Sequence, residues 1–94
     1  MMIRKLRIRG TVQGVGYRYA LQAQAESRGV AGWVRNRGDG SVEALVQGEA
    51  RAVEAVIAWV HRGPPAARVV EVQVEPGAGD DTTPHTGFAL RPSV

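Results

Sequence analysis

The sequence contains no cysteine, which excludes disulfide bonds, a thiolate nucleophile and cysteine-based metal sites. Only 5% of the residues are aromatic, so Val, Ala, Leu and Ile have to fill the core. No apolar run approaches the length of a membrane-spanning helix. The first residues alternate charged and apolar side chains and lack the long apolar stretch of a signal peptide. We therefore expect no membrane partner and a cytoplasmic location.

Lysine is also nearly absent, because eleven of the twelve basic residues are arginine and Lys5 is the exception. The formal net charge is +3. We interpret most of this bias as an effect of genome composition, since Arg, Ala, Gly and Val all have GC-rich codons. A modest positive field still attracts anionic substrates, and the guanidinium fork suits phosphate. The length of 94 residues predicts one domain over 1–94, and we expect it to be a monomer.

The hydrophobic pattern alternates between strand and helix periods along the chain. It predicts strands over 3–10, 30–36, 41–47 and 70–75, helices over 17–28 and 49–62, and a possible short fifth strand over 88–91. This β-α-β-β-α-β order is the split βαβ, or ferredoxin-like, arrangement of the α+β class. We expect an antiparallel sheet with two helices on one face.

A glycine-rich segment, Gly10-Thr-Val-Gln-Gly-Val-Gly-Tyr-Arg18, joins the first strand to the first helix. Its glycines allow a tight loop with several backbone N–H groups pointing inward. The helix that follows opens with Arg18, a cation that opposes the helix dipole, and has no Ser, Thr, Asp or Asn in the cap position. An anion held between the loop and Arg18 resolves both anomalies.

A second motif, Gly32-Trp-Val-Arg-Asn36, ends the second strand. Strand alternation places Asn36 in the core-facing row of Val30 and Val34, at the strand end. A polar amide there needs hydrogen-bond partners. Because the first helix packs on this same face, we expect Asn36 to approach the loop of residues 14–18.

Together the two motifs resemble those of the acylphosphatase family, in its small free-standing form. The first is similar to the family pattern Gly-x-Val-Gln-Gly-Val-x-[Phe/Tyr]-Arg, and Gly40-Ser-Val-Glu43 continues the second. The resemblance implies hydrolysis of acyl phosphates to a carboxylate and inorganic phosphate, without a cofactor or a metal. It implies that Arg18 binds substrate and Asn36 orients the attacking water. It further implies a phosphate cradle, which would also take inorganic phosphate or sulfate, made by the backbone N–H groups of Gln13, Gly14, Val15, Gly16 and Tyr17 together with Arg18.

Two other functions remain open on the residues alone. RNA-recognition domains share the topology, but they stack bases on aromatic side chains of the central strands, which the first and third strands here lack. We therefore expect no nucleic-acid partner. A phosphate-binding regulatory domain without turnover is the other alternative, and Asn36 favours hydrolysis over binding alone.

The remaining polar and aromatic residues are given structural roles. We interpret Trp33 and Trp59 as packing residues, and His61 and His85 as non-catalytic. The pair Asp80-Asp81 is interpreted as a solvated loop, since too few further ligands lie nearby for a metal site. The basic run Arg4-Lys5-Arg7-Arg9 is interpreted as the solvent side of the first strand.

Overall fold

A computed structural model describes the backbone of residues 1–94 and every side chain except that of Asp80. Five strands and two α-helices follow in the order β1 (Met2–Thr11), α1 (Tyr17–Ser27), β2 (Ala31–Asn36), β3 (Val42–Gly48), α2 (Ala50–Val60), β4 (Arg68–Pro76) and β5 (Phe88–Leu90), with a short 3-10 turn at Gly79–Thr82 before β5. The predicted ferredoxin-like α+β fold is confirmed.

The sheet has the strand order β4-β1-β3-β2-β5. The first four strands pair antiparallel, as predicted, while β5 adds to β2 in parallel. The possible fifth strand is therefore real, and it makes the complete sheet mixed rather than antiparallel. Its parallel register places Leu90 beside Val34, so the chain beyond β5 runs toward the end of β2 where Asn36 lies.

Both helices cover the same face of the sheet, with α1 over β2 and β5 and α2 over β1 and β3. The core between the layers consists of aliphatic side chains and the ring of Tyr17, all at most 1% exposed: Leu6, Ile8, Val12, Tyr17, Leu21, Ala25, Val34, Val42, Ala44, Val46, Val53, Val56 and Val60. Burying each Val, Leu or Ile contributes about 1.5–3 kcal/mol. This layer fixes where α1 begins relative to the end of β2.

The opposite face of the sheet is lined by long charged side chains rather than by a second layer. Glu43, on the central strand β3, is only 4% exposed because Lys5, Arg35 and Arg37 surround it. Trp33 also lies on this face, and the guanidinium groups of Arg35 and Arg91 are 4.9 and 4.7 Å from the centre of its ring. The basic run in β1 therefore contributes to a layer of ion pairs, and only part of it is free in solvent.

The outer strand β4 departs from its simple alternation. In the predicted strand over 70–75, Val70, Val72 and Val74 alternate with polar residues, but a β-bulge interrupts this row where the pairing shifts between Arg9 and Gly10. Val70 is the extra residue and is 75% exposed. At Gly10 the backbone of β4 passes so close that a Cβ would collide with the carbonyl of Arg68. Gly10 therefore serves strand packing and is not part of the loop.

No helix in the structure is long and apolar enough to cross a membrane.

Candidate active site

The loop between β1 and α1 has an alternating backbone conformation. Gly14 and Gly16 have φ angles of 76° and 77°, in the left-handed region, whereas Val15 between them does not. Such alternation turns successive N–H groups toward the same concave side. A Cβ at either glycine would meet no atom within 4 Å. The loop thus needs glycine for its backbone conformation and not for space.

The N–H groups of this loop have no acceptor in the described part of the chain. The first helical hydrogen bond of α1 runs from Ala20 N–H to Gly16 O at 3.0 Å, and the backbone N–H groups of residues 13–19 donate no hydrogen bond to the described residues. The helix also begins without a side-chain cap and without an acidic residue in its first turn. The result is a row of backbone donors at the positive end of a helix dipole, which is a strong anion-binding arrangement.

Arg18 is the second residue of α1 and is half-buried beside this row of donors. None of the ion pairs among the described side chains includes Arg18. Its guanidinium lies 6.0 Å from the ring of its neighbour Tyr19, which neutralises no charge. A cation at the positive end of a helix is unfavourable without an anion nearby. A bound phosphate would supply that anion through two parallel hydrogen bonds.

Asn36 ends β2 on the helix-covered side of the sheet, in the row of Val34, as predicted. Its side-chain Oδ1 is buried and accepts no hydrogen bond from the described residues. The backbone around it is held firmly, since Val94 N–H donates to Asn36 O at 3.1 Å and Gly38 N–H donates to Val94 O at 2.6 Å. A fixed, buried acceptor without a protein donor is suited to orient a water molecule.

Gln13 brings the loop and the Asn36 segment together. Its side-chain Nε2 donates to Arg37 O and to Ser41 O, each at 2.8 Å, so the loop lies against the turn that directly follows Asn36. The expected approach of Asn36 to the loop is therefore supported by this contact. The motif implies a role only for the backbone of Gln13, and no periodic pattern in the sequence indicates its side-chain hydrogen bonds, because their acceptors are carbonyls 24 and 28 residues away.

Tyr17, the first residue of α1, is an anchor rather than a reactive group. Its ring packs on Trp59 with centroids 5.7 Å apart, and its hydroxyl donates to Val60 O at 2.7 Å. Burial raises the pKa of Tyr17, so the hydroxyl stays protonated and keeps this bond. The start of α1, and with it Arg18, is thereby fixed to the end of α2.

The two histidines and Asp81, which were interpreted as structural, make contacts outside the loop of residues 13–17. His61 Nδ1 is 2.9 Å from Ile57 O, and His85 N–H donates to Gln47 Oε1. Asp81 lies 3.9 Å from Lys5 and its side chain is 22% exposed, so it is only partly solvated, while the side chain of Asp80 lies outside the described residues. Among the described side chains, no group of three His, Asp or Glu residues could hold a metal ion.

In the turn after Asn36, Asp39 Oδ1 accepts hydrogen bonds from the Ser41 hydroxyl and N–H. These bonds hold the pKa of Asp39 below its usual range, with smaller contributions from Arg37 and Arg7. The Asp39 carboxylate is therefore ionised at neutral pH, and it accepts the hydrogen bonds that close the turn.

Comparisons with known proteins agree on one family. The family model for acylphosphatase matches residues 4–90. An acylphosphatase from Azoarcus sp. (strain BH72) is 57% identical over 86 residues, covering 86% of this chain and 88% of that protein. One from Acidovorax sp. (strain JS42) is 53% identical, covering 97% and 91%. Among solved structures, an acylphosphatase from Bacillus subtilis has a TM-score of 0.90 at 35% identity, covering 97% of this chain and 99% of its own.

Proposed function

This chain belongs to the acylphosphatase family and hydrolyses acyl phosphates, and we propose that the loop and Arg18 bind the phosphoryl group while Asn36 orients the attacking water. The observation that carries this assignment is the row of backbone donors at residues 13–17, which have no acceptor in the described chain and lie beside the unpaired Arg18. The family and the reaction predicted from the motifs are confirmed. The row of donors supports the further proposal of where the phosphoryl group binds.

Binding follows from the donor geometry. The phosphoryl oxygens accept hydrogen bonds from the N–H groups of Gln13, Gly14, Val15, Gly16 and Tyr17, and the Arg18 fork takes two oxygens at once. Because these donors are fixed before substrate arrives, they stabilise the charge on the equatorial oxygens without reorganising. A loose phosphoryl-transfer transition state places its charge there.

The attacking water is held by Asn36. Its buried Oδ1 accepts one water O–H, which turns a lone pair of the water oxygen toward phosphorus. A bond forms between that oxygen and phosphorus, and the bond to the acyl oxygen breaks. The carboxylate leaves with the electron pair and needs no protonation because it is a stable anion. The proton of the water passes to a phosphoryl oxygen, so no protein base is required.

The two alternative functions fare less well. The comparisons favour acyl phosphate hydrolysis over a regulatory phosphate-binding domain. The sheet face that RNA-recognition domains use is filled here by ion pairs around Glu43, and the guanidinium groups of Arg35 and Arg91 lie against the ring of Trp33. Stacking a base on that ring would require displacing them, so we propose that nucleic acid is not a partner.

A single chain supplies every proposed site residue, so we propose that residues 1–94 act as one monomeric domain. The cytoplasmic location stays a prediction.

The test is phosphate release from benzoyl phosphate, with a phosphate monoester as the control substrate. We expect the parent chain to hydrolyse the acyl phosphate only. Arg18→Ala should abolish turnover and weaken inhibition by phosphate, and Arg18→Lys should restore little because a point charge lacks the bidentate fork. Arg28→Ala, at the exposed other end of α1, is the matched control and should behave as the parent.

Asn36→Ala separates orientation of water from binding. Losing a contact made mainly in the transition state lowers kcat by about 10²–10³ and leaves the Ki of phosphate nearly unchanged. A Ki that rises as steeply as kcat falls would make Asn36 a binding residue. An unchanged kcat would reduce it to a turn residue.

A further inference from the structure

Two glutamine side chains in this protein bridge separate segments in the same way. The side-chain nitrogen of Gln13 donates two hydrogen bonds to carbonyls of the turn after Asn36, one to Arg37 O and one to Ser41 O, each at 2.8 Å. Gln47 donates to the carbonyls of Asp81 and Thr83 at 2.9 and 2.8 Å. Gln47 lies at the opposite end of β3 from the turn, opposite Ile3 of β1 and Ala31 of β2. Gln47 therefore serves as an internal control, because it makes the same pair of side-chain hydrogen bonds at the other end of β3.

The turn itself does not need Gln13 to close. Arg37 N–H donates to Ser41 O at 2.9 Å, and Gly40 N–H donates to Arg37 O at 3.1 Å. Ser41 is additionally held by Asp39 through its N–H and hydroxyl. Both carbonyls that Gln13 contacts therefore keep a hydrogen bond when its side chain is removed. What disappears is the connection between the turn and the loop.

That connection spans the two halves of the site. The phosphate donors and Arg18 lie on one continuous segment, residues 13–18, whereas Asn36 lies on β2. Among the described residues, no other hydrogen bond joins residues 12–18 to residues 36–42. The ladder of β1 with β3 holds the chain before this segment, and the Tyr17 hydroxyl holds its helical end to α2, so the Gln13 side chain supplies the hydrogen bonds that join it directly to the turn after Asn36.

We propose that the Gln13 side chain is a positioning residue that sets the distance between the phosphate cradle and Asn36. Its two bonds fix the direction as well as the distance, because one nitrogen donates to two carbonyls of a closed turn. Gln13 therefore acts on the alignment of water with phosphorus and not on phosphate affinity. This proposal rests on the proposed function of the same site.

The test compares Gln13→Leu and Gln13→Glu with Gln47→Leu and Gln47→Glu. The glutamate variants keep the shape, but a carboxylate has no N–H to donate. In both Gln13 variants kcat for benzoyl phosphate should fall about 10- to 100-fold, the cost of a misplacement near 1 Å. The Ki of phosphate should stay at the parent value. Both Gln47 variants should lose thermal stability without this selective fall in kcat.

A second measurement is independent of turnover. In the ¹⁵N-labelled parent, titration with inorganic phosphate should shift the loop amides and also the side-chain amide of Asn36. In Gln13→Leu the loop amides should still shift, while the Asn36 side chain no longer responds. Loss of that response supports the positioning role even if the parent fails to hydrolyse acyl phosphates, an outcome that would refute only the proposed function.

Two results would overturn the inference. One is a kcat in Gln13→Leu that falls no further than in Gln47→Leu while the Asn36 response to phosphate persists. The other is a loss of phosphate affinity equal to the loss of kcat, which would mean that Gln13 shapes the cradle itself.

Discussion

Replacing Gly14 by alanine tests whether the alternating backbone of the loop creates the anion site. The added Cβ meets no atom within 4 Å, so the change introduces no collision. Its cost is conformational, about 1–2 kcal/mol for holding a non-glycine residue in the left-handed region. For a domain of this size that lowers the Tm by about 4–8 °C for each kcal/mol. If alanine instead escapes to negative φ, the local N–H groups turn away from the cradle.

Gly29→Ala is the matched control. Gly29 follows the other end of α1 with a φ of 69°, and a Cβ there also meets nothing within 4 Å. The two variants should therefore lose similar stability in thermal unfolding without phosphate. Only Gly14→Ala should also lose phosphate inhibition, measured as Ki against benzoyl phosphate, and the thermal stabilisation that phosphate gives. Equal Ki values in both variants would show that the left-handed conformation at Gly14 does not build the site.

The other predictions concern stabilisation by phosphate, independence of metal ions, the pH dependence of stability and the hydrogen bond of Tyr17. A hundredfold excess of phosphate over its Kd should stabilise the parent by about 2.7 kcal/mol in thermal unfolding, and Arg18→Ala should lose most of that gain. Turnover should survive excess EDTA, because backbone N–H groups and a guanidinium meet the phosphoryl charge; restoration of a lost rate by a divalent ion would contradict this. Burial alone would raise the pKa of Glu43, but hydrogen bonding and charge from Arg35, with Lys5 and Arg37, outweigh it and lower the pKa. Its stabilisation is therefore present above the ordinary value of 4.5 and lost as the pH falls through the lowered pKa, so the stability gap between the parent and Glu43→Gln should close in acid. Tyr17→Phe should cost about 1–3 kcal/mol in chemical denaturation, since Val60 O loses a buried donor.

The fold was predictable because local patterns agree with it at nearly every element. The alternation of Leu6 and Ile8 with arginines, and the helical spacing of Val53, Val56 and Val60, each specify one buried face. The bulge that exposes Val70 was not predictable in this way. It depends on how closely the backbone of β4 can approach Gly10, and this is a property of two paired strands. The periodicity of β4 alone therefore does not predict the bulge.

The burial of Glu43 also depends on the pairing of strands and not on the pattern within one strand. Strand alternation correctly assigns Glu43 to the face away from the helices, and a carboxylate there is expected to be solvated. Its neighbours in the register are Arg7 on β1 and Arg35 on β2. Three cations from these strands and the adjoining turn enclose it. The pairing of β3 with a strand on each side, β1 and β2, turns a surface glutamate into the buried centre of an ion cluster.

The residues of the candidate site also differ in whether the sequence alone identifies them. Arg18 and Asn36 could be found because each breaks a local rule: a cation at a helix start, and an amide in an apolar row. Gln13 breaks no rule, since a polar side chain in a loop is ordinary, and its partners are backbone carbonyls that any sequence would provide. Local anomalies identify groups that need a ligand. A side chain already satisfied by the protein shows no such anomaly, so a residue that aligns the site has to be found from the folded chain.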